Sequence, residues 1–180
     1  MIRCYVTDRR QGDVVALSAQ AVANGVDIIQ VREKDLEGRE LFDLVCRIRD
    51  VAAASPGSKT RVLVNGRLDI ALIAGLDGVH LPGNGLPAAQ VRPYVRTLGI
   101  SCHSIEEALQ AERDAVDYIF FGPVFETPGK KPVGVEALRS VTRSVKIPVL
   151  AIGGITSTNT PDVMAAGASG IAAIRMFQQK

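Results

Sequence analysis

Ala23-Asn-Gly-Val-Asp-Ile-Ile-Gln30, Ala74-Gly-Leu-Asp-Gly-Val-His-Leu81, Ala115-Val-Asp-Tyr-Ile-Phe-Phe121 and Ala166-Gly-Ala-Ser-Gly-Ile-Ala-Ala-Ile174 repeat one junction along the chain. In each, an Ala-rich helix end meets a small turn residue and then an apolar, β-branched run, the signature of an αβ turn. Working outward, strands are expected near residues 2–7, 28–33, 61–65, 78–82, 97–102, 118–123, 147–152 and 170–176. Helical patterns lie between them at 14–24, 38–53, 68–74, 86–95, 105–114, 135–145 and 161–166. Strict alternation of this kind predicts an α/β fold, a (β/α)8 TIM barrel in preference to an open doubly wound sheet. Residues 1–180 are read as one domain. The chain stops soon after the eighth strand, so the eighth helix is expected to be missing or truncated.

Composition narrows the function. With 21 basic and 19 acidic side chains the net charge is +2, and no Lys/Arg run marks a nucleic-acid surface. No apolar stretch approaches the ~20 residues needed to span a bilayer, and the early charges Asp8, Arg9 and Arg10 leave no signal-peptide core. A cytoplasmic protein without membrane or nucleic-acid partners is expected. Cys4, Cys46 and Cys102 have no CxxC spacing, which predicts buried thiols rather than a disulfide framework or a zinc site.

In a parallel barrel the chemistry sits where strands end. Those ends carry Thr7 and Asp8; Gln30, Arg32 and Lys34; Asn65 and Arg67; His80; Ser101 and His103; Thr127, Lys130 and Lys131; Gly153 and Gly154; and Ile174 and Arg175. Cations and glycine loops together suit a small phosphorylated ligand. Gly153, Gly154, Ile174 and Arg175 are the expected phosphate site, with backbone N–H donors. Gln30, Arg32, Lys34, Asn65, Ser101 and Thr127 are the expected substrate contacts. His80, inside an apolar strand, reads equally as a core residue, and Arg32 or Gln30 could pair with Glu33. Ser104-Ile-Glu-Glu107 is a capping box.

These residues resemble a known superfamily, thiamine phosphate synthase and the TenI-type thiazole tautomerases. The resemblance runs through Tyr5-Val-Thr-Asp8, Gln30-Val-Arg-Glu-Lys34, Asn65-Gly-Arg-Leu-Asp-Ile-Ala71, Asp77-Gly-Val-His-Leu81, Ser101-Cys-His-Ser104, Asp117-Tyr-Ile-Phe-Phe-Gly-Pro-Val-Phe-Glu-Thr127 and Ala151-Ile-Gly-Gly-Ile155. It implies that a synthase would join a pyrimidine diphosphate to a thiazole phosphate, with Mg²⁺ held by two carboxylates. The matching positions here are Gly66, within Asn65-Gly66-Arg67, and Gly85, within Pro82-Gly83-Asn84-Gly85. Without those carboxylates, the expected activity is a metal-independent, cofactor-free tautomerase that aromatises a carboxythiazole phosphate. A synthase using Mg²⁺ and a non-catalytic binder of thiazole phosphate or thiamine phosphate are the alternatives. Pro123 stands where the tautomerase branch can carry a His, so acid/base chemistry is expected to fall on His103, aided by Lys130. An apolar eighth strand left bare by the absent helix would favour a homo-oligomer.

Overall fold

The computed structural model describes residues 1–178 and contains a closed barrel of eight parallel strands in sequential order. They are β1 (Ile2–Val6), β2 (Ile28–Val31), β3 (Arg61–Asn65), β4 (Gly78–Leu81), β5 (Thr97–Cys102), β6 (Tyr118–Phe121), β7 (Val149–Ile152) and β8 (Gly170–Ala173). The helices between them are α1 (Val14–Ala23), α2 (Gly38–Ala54), α3 (Leu68–Ile73), α4 (Ala88–Val91), α5 (Ile105–Arg113), α6 (Val135–Ser144) and α7 (Thr160–Ala165). The expected TIM barrel is observed, and no described helix is long and apolar enough to cross a membrane.

The repeated junction has a structural cause. Asp27, Asp77 and Asp117 each stand just before or at the entry of a strand, and each carboxylate accepts a backbone N–H from the neighbouring strand's start: Arg3 at 2.8 Å, Val62 at 2.8 Å and Leu98 at 2.6 Å. A strand entry at the barrel floor would otherwise leave that donor without a partner. In the fourth copy Ser169 replaces the Asp, and its backbone carbonyl takes the Ile2 N–H at 2.9 Å.

Alternation along the strands divides the core. Cys4, Val6, Ile28, Leu63, Tyr118, Phe120, Leu150 and Ala172 fill the barrel interior. Outward residues such as Ile29, Val62, Val79, Ile119 and Ile171 pack under the helices, which contribute Val45, Ile48, Leu138 and Val141. Fully burying a side chain of this size is worth roughly 1.5–3 kcal/mol. The interior layers block the barrel's lower part and leave an open mouth where the strands end.

β2 and β6 each end two residues earlier than the sequence reading placed them, and three further boundaries differ for reasons the residues give. The helix expected at 86–95 is only α4, because Pro93 cannot donate a helical N–H and the chain tightens into a 3-10 turn at Arg92–Tyr94. β7 starts at Val149, after Pro148, which likewise has no donor for the ladder. β8 ends at Ala173, and Arg175–Phe177 form a 3-10 turn in place of further strand. That turn buries Phe177, whose ring lies 5.3 Å from the Arg3 guanidinium, and Gln178 donates to the Tyr5 hydroxyl at 3.3 Å. The outward residues Ile171 and Ala173 are 0% and 8% exposed, so the bare apolar strip expected along β8 is not observed.

Candidate active site

The mouth of the barrel opens into a cavity of about 780 Å³. Every residue expected to contact substrate or phosphate lines it: Gln30, Arg32, Lys34, Asn65, Ser101, His103, Thr127, Lys130, Gly153, Gly154, Ile174 and Arg175. Arg10, Asn84, Pro123 and Phe120 join them, and none of these four was among the expected substrate or phosphate contacts. His80 lies just below, wholly buried.

The floor is polar and ordered. Gln30, 2% exposed at the end of β2, donates its Nε2 to Asn65 Oδ1 on β3 at 3.1 Å. This bond leaves Gln30 Oε1 and Asn65 Nδ2 as one acceptor and one donor for a ligand. On β4, His80 Nδ1 lies 3.0 Å from the Tyr118 hydroxyl and His80 Nε2 lies 3.0 Å from Ser101 Oγ. Burial, with the Arg32 charge adding to it, pushes the His80 pKa down to about 3, so the ring is neutral at physiological pH. Its place is structural core, but it touches a residue that faces the cavity.

Around the rim the charge is one-sided. Glu33 does not pair with Arg32. Its carboxylate accepts the Thr7 hydroxyl at 2.6 Å and the Arg9 N–H at 3.1 Å, which ties the ends of β1 and β2 together. Asp8 is taken by Arg10 at 2.8 Å, and that hydrogen bond holds its carboxyl below the ordinary value. Among the described residues Arg32, Lys34, Lys130 and Arg175 have no carboxylate partner. Glu107, the only carboxylate lining the cavity among the described residues, accepts the His103 N–H at 2.6 Å, while Ser104 Oγ accepts the Glu107 N–H at 3.1 Å. The expected capping box is present, shifted so that it fixes the backbone of His103. Lys131, expected beside Lys130, does not reach the cavity.

His103 has a defined orientation. Its Nδ1 is 2.9 Å from the Gly122 carbonyl, which can only accept, so Nδ1 carries a proton. Nε2 is the atom left for a ligand.

The two glycine loops supply donors. Gly153 and Gly154 have φ of +94° and +66°. A Cβ on Gly153 would lie 2.3 Å from Pro123 Cβ, and one on Gly154 would lie 2.7 Å from the Glu126 carbonyl oxygen. Both positions need glycine for packing against the loop after β6 as well as for backbone conformation. Their carbonyls are used, Gly153 by the Phe125 N–H at 3.1 Å and Gly154 by Asn159 Nδ2 at 2.9 Å. The N–H groups of Gly153, Gly154, Ile174 and Arg175 meet no protein acceptor among the described residues. Four unclaimed donors on adjacent strand ends suit a phosphoryl group.

A profile described as thiamine monophosphate synthase matches residues 4–177. The chain belongs to this family. A putative thiamine-phosphate synthase from Geobacter sulfurreducens is 43% identical over 179 residues, 94% of this chain and 83% of the relative. A thiamine-phosphate synthase from Chloroflexus aurantiacus is 38% identical over 165 residues, 88% and 75% of the two chains. Among solved structures, thiamine phosphate pyrophosphorylase from Pyrococcus furiosus superposes with a TM-score of 0.90 at 34% identity, covering 99% of this chain and 88% of that one. The chain is therefore similar to enzymes. These relatives overturn the expectation of a tautomerase, since the names they carry are those of the synthase, which the sequence reading had placed second.

The Mg²⁺ site that the family resemblance implies does not fit the residues present. Gly66 has φ of +70° and no side chain, and a Cβ on Gly85 would lie 2.9 Å from Pro82 Cδ. Glu33, Glu107 and Asp8 already serve protein donors. Among the described residues, no group of three or more His, Cys, Asp or Glu could hold a metal ion. Hard divalent cations need several oxygen ligands, and this donor set lacks them.

Sequence reasoning missed Arg10 because the 3-10 turn at Arg9–Gln11 brings it back over the mouth, and a three-residue turn leaves no periodicity to read. It also missed the link between Tyr118 and His80, which are 38 residues apart and meet only through strand register. Among the thiols, Cys46 is partly exposed, while Cys4 and Cys102 are buried as expected.

Proposed function

We propose that the protein is a thiamine-phosphate synthase, joining a pyrimidine diphosphate and a thiazole phosphate. The observation that supports this reading is one cavity lined by two sets of anion donors: Arg32, Lys34 and Lys130, which have no carboxylate partner among the described residues and lie after β2 and after β6, and the N–H groups of Gly153, Gly154, Ile174 and Arg175 after β7 and β8, which meet no protein acceptor among the described residues. Two phosphorylated substrates need two such sets. A proton-transfer enzyme acting on one carboxythiazole phosphate has a single phosphoryl group to hold.

In this reading Arg32, Lys34, Lys130 and Thr127 hold the diphosphate, and Gly153, Gly154, Ile174 and Arg175 hold the thiazole phosphate. Gln30 Oε1 and Asn65 Nδ2 face the pyrimidine ring. The bond from the pyrimidine's methylene carbon to diphosphate oxygen breaks, with its electron pair leaving on the diphosphate. The thiazole nitrogen's lone pair forms the new C–N bond. No proton moves at either reacting atom, so His103 is a ligand contact and not a base.

The chain's own cations stabilise the departing charge. At about 4 Å and an effective dielectric near 20, one cation–anion pair is worth roughly 4 kcal/mol, the order a metal ion supplies. Arg32 is half-buried and keeps most of this. Lys34 and Lys130 are exposed and gain it only when ligand excludes water. We infer that the enzyme turns over without a divalent cation. The test is mass-spectrometric detection of thiamine phosphate when both substrates are supplied. Conversion of carboxythiazole phosphate in the absence of pyrimidine diphosphate would reject the reading.

A further inference from the structure

The hydrogen bonds beneath the cavity have a fixed direction. Tyr118 is 2% exposed, and its hydroxyl has one partner among the described residues, His80 Nδ1 at 3.0 Å. A buried O–H with a single partner must donate to it, because the opposite orientation would strand the proton in an apolar interior. The surroundings are apolar on the ring faces: the Phe120 ring lies 4.1 Å from that of His80, and Tyr118 and Phe120 lie 5.5 Å apart. Nδ1 is then an acceptor, and the neutral imidazole carries its proton on Nε2. Nε2–H donates to Ser101 Oγ at 3.0 Å. With its oxygen already accepting, the Ser101 hydroxyl proton has only the cavity to point into. Space for this arrangement is built into the strand between the two residues. A Cβ on Gly99 would lie 2.3 Å from Tyr118 Cζ and 2.7 Å from His80 Nδ1.

We propose that Tyr118 and His80 are positioning residues that commit Ser101 to donate a hydrogen bond to an anionic oxygen of the bound diphosphate. The assignment of that ligand rests on the synthase reading; the direction of the relay does not. Titratable and charged groups face the relay sparingly. Arg32 acts on His80, while Cys4, Arg61 and Asp117 act on Tyr118, and burial outweighs all four. A relay of neutral groups in a dry interior keeps one polarity across the working pH range.

The chain has two histidines, so the relay can be read directly. Two-bond ¹H–¹⁵N correlation spectra of protein labelled with ¹⁵N-histidine, assigned with His103→Gln, should show His80 as the Nε2–H tautomer and His103 protonated on Nδ1. His80 protonated on Nδ1 would overturn the relay. In Tyr118→Phe the His80 resonances should move toward a mixture of tautomers, and an unchanged tautomer would also overturn it. Calorimetry with inorganic diphosphate should show about 10- to 100-fold weaker binding for Ser101→Ala, the range for losing a hydrogen bond to a charged group. Equal affinity would remove Ser101 from the site. Wild-type protein that binds no diphosphate would overturn the synthase reading and the ligand named here, while the spectra would still decide the relay's direction.

Discussion

Replacing Gly153 with Ala probes the contact that joins the phosphate loop to the loop after β6. The new Cβ would sit 2.3 Å from Pro123 Cβ and 2.5 Å from Pro123 Cα, and the backbone φ is +94°. A proline ring cannot rotate aside, so the loop must move. Left-handed backbone costs a non-glycine residue roughly 1–2 kcal/mol. Overpacking adds roughly 1–3 kcal/mol, for a total of roughly 2–5 kcal/mol. In a domain of this size each kcal/mol lowers Tm by about 2–4 °C, so the expected loss is about 4–20 °C. Gly75→Ala is the internal control. Its φ is +62° with nothing within 4 Å of the added Cβ, so only the backbone cost applies, about 2–8 °C. Calorimetric unfolding of both variants should be run with and without inorganic phosphate. Ligand at 100 times Kd stabilises the native state by about 2.7 kcal/mol, and the Gly153 variant should lose most of that gain because its N–H groups are displaced. Equal Tm values for the two variants, or full phosphate stabilisation in Gly153→Ala, would refute the steric argument and the phosphate assignment respectively.

Other expectations follow from the same contacts. Arg32→Met and Lys130→Met should each lower kcat/KM by about 10- to 100-fold, whereas His103→Gln should cost under about tenfold, the range for one neutral hydrogen bond; the reverse ranking would indicate proton-transfer chemistry. Asp8, held below its ordinary value of 3.8 by Arg10, stabilises the fold above that pH and loses its contribution as pH falls through the depressed folded-state value. Urea unfolding of Asp8→Asn should therefore show a shallower stability loss on acidification below about pH 4 than the parent, and parallel curves would contradict the pairing. Burial pushes the Cys102 thiol up to about 12 and raises Cys4 further, so a thiol reagent should label Cys46 alone in native protein and all three cysteines after denaturation.

The barrel was legible in the sequence because its unit repeats: the Ala-rich helix end, the turn and the Asp that receives a neighbouring strand's N–H recur at fixed places. The candidate site was legible for a related reason, since strand ends in this architecture converge and alternation says which side chains point inward. What could not be read was whatever depends on register or short turns. The Gln30–Asn65 bond, the Tyr118–His80–Ser101 chain and the return of Arg10 over the mouth all join residues whose spacing carries no period. The last turn was misread as strand because Met176 and Phe177 are apolar in either role. The reaction was misread for a chemical reason. Glycine at positions 66 and 85, where the resemblance implies carboxylates, points away from diphosphate chemistry, whereas in the proposed reading Arg32, Lys34 and Lys130 meet that charge.

The most direct measurement is a steady-state assay with pyrimidine diphosphate and thiazole phosphate in excess EDTA, quantifying thiamine phosphate and released diphosphate together. The two products should appear one to one, with added Mg²⁺ changing the rate by less than about tenfold, because the stabilising charge is built from side chains. Turnover that vanishes under chelation and returns with Mg²⁺ would contradict the cationic site, and no thiamine phosphate under either condition would contradict the synthase itself.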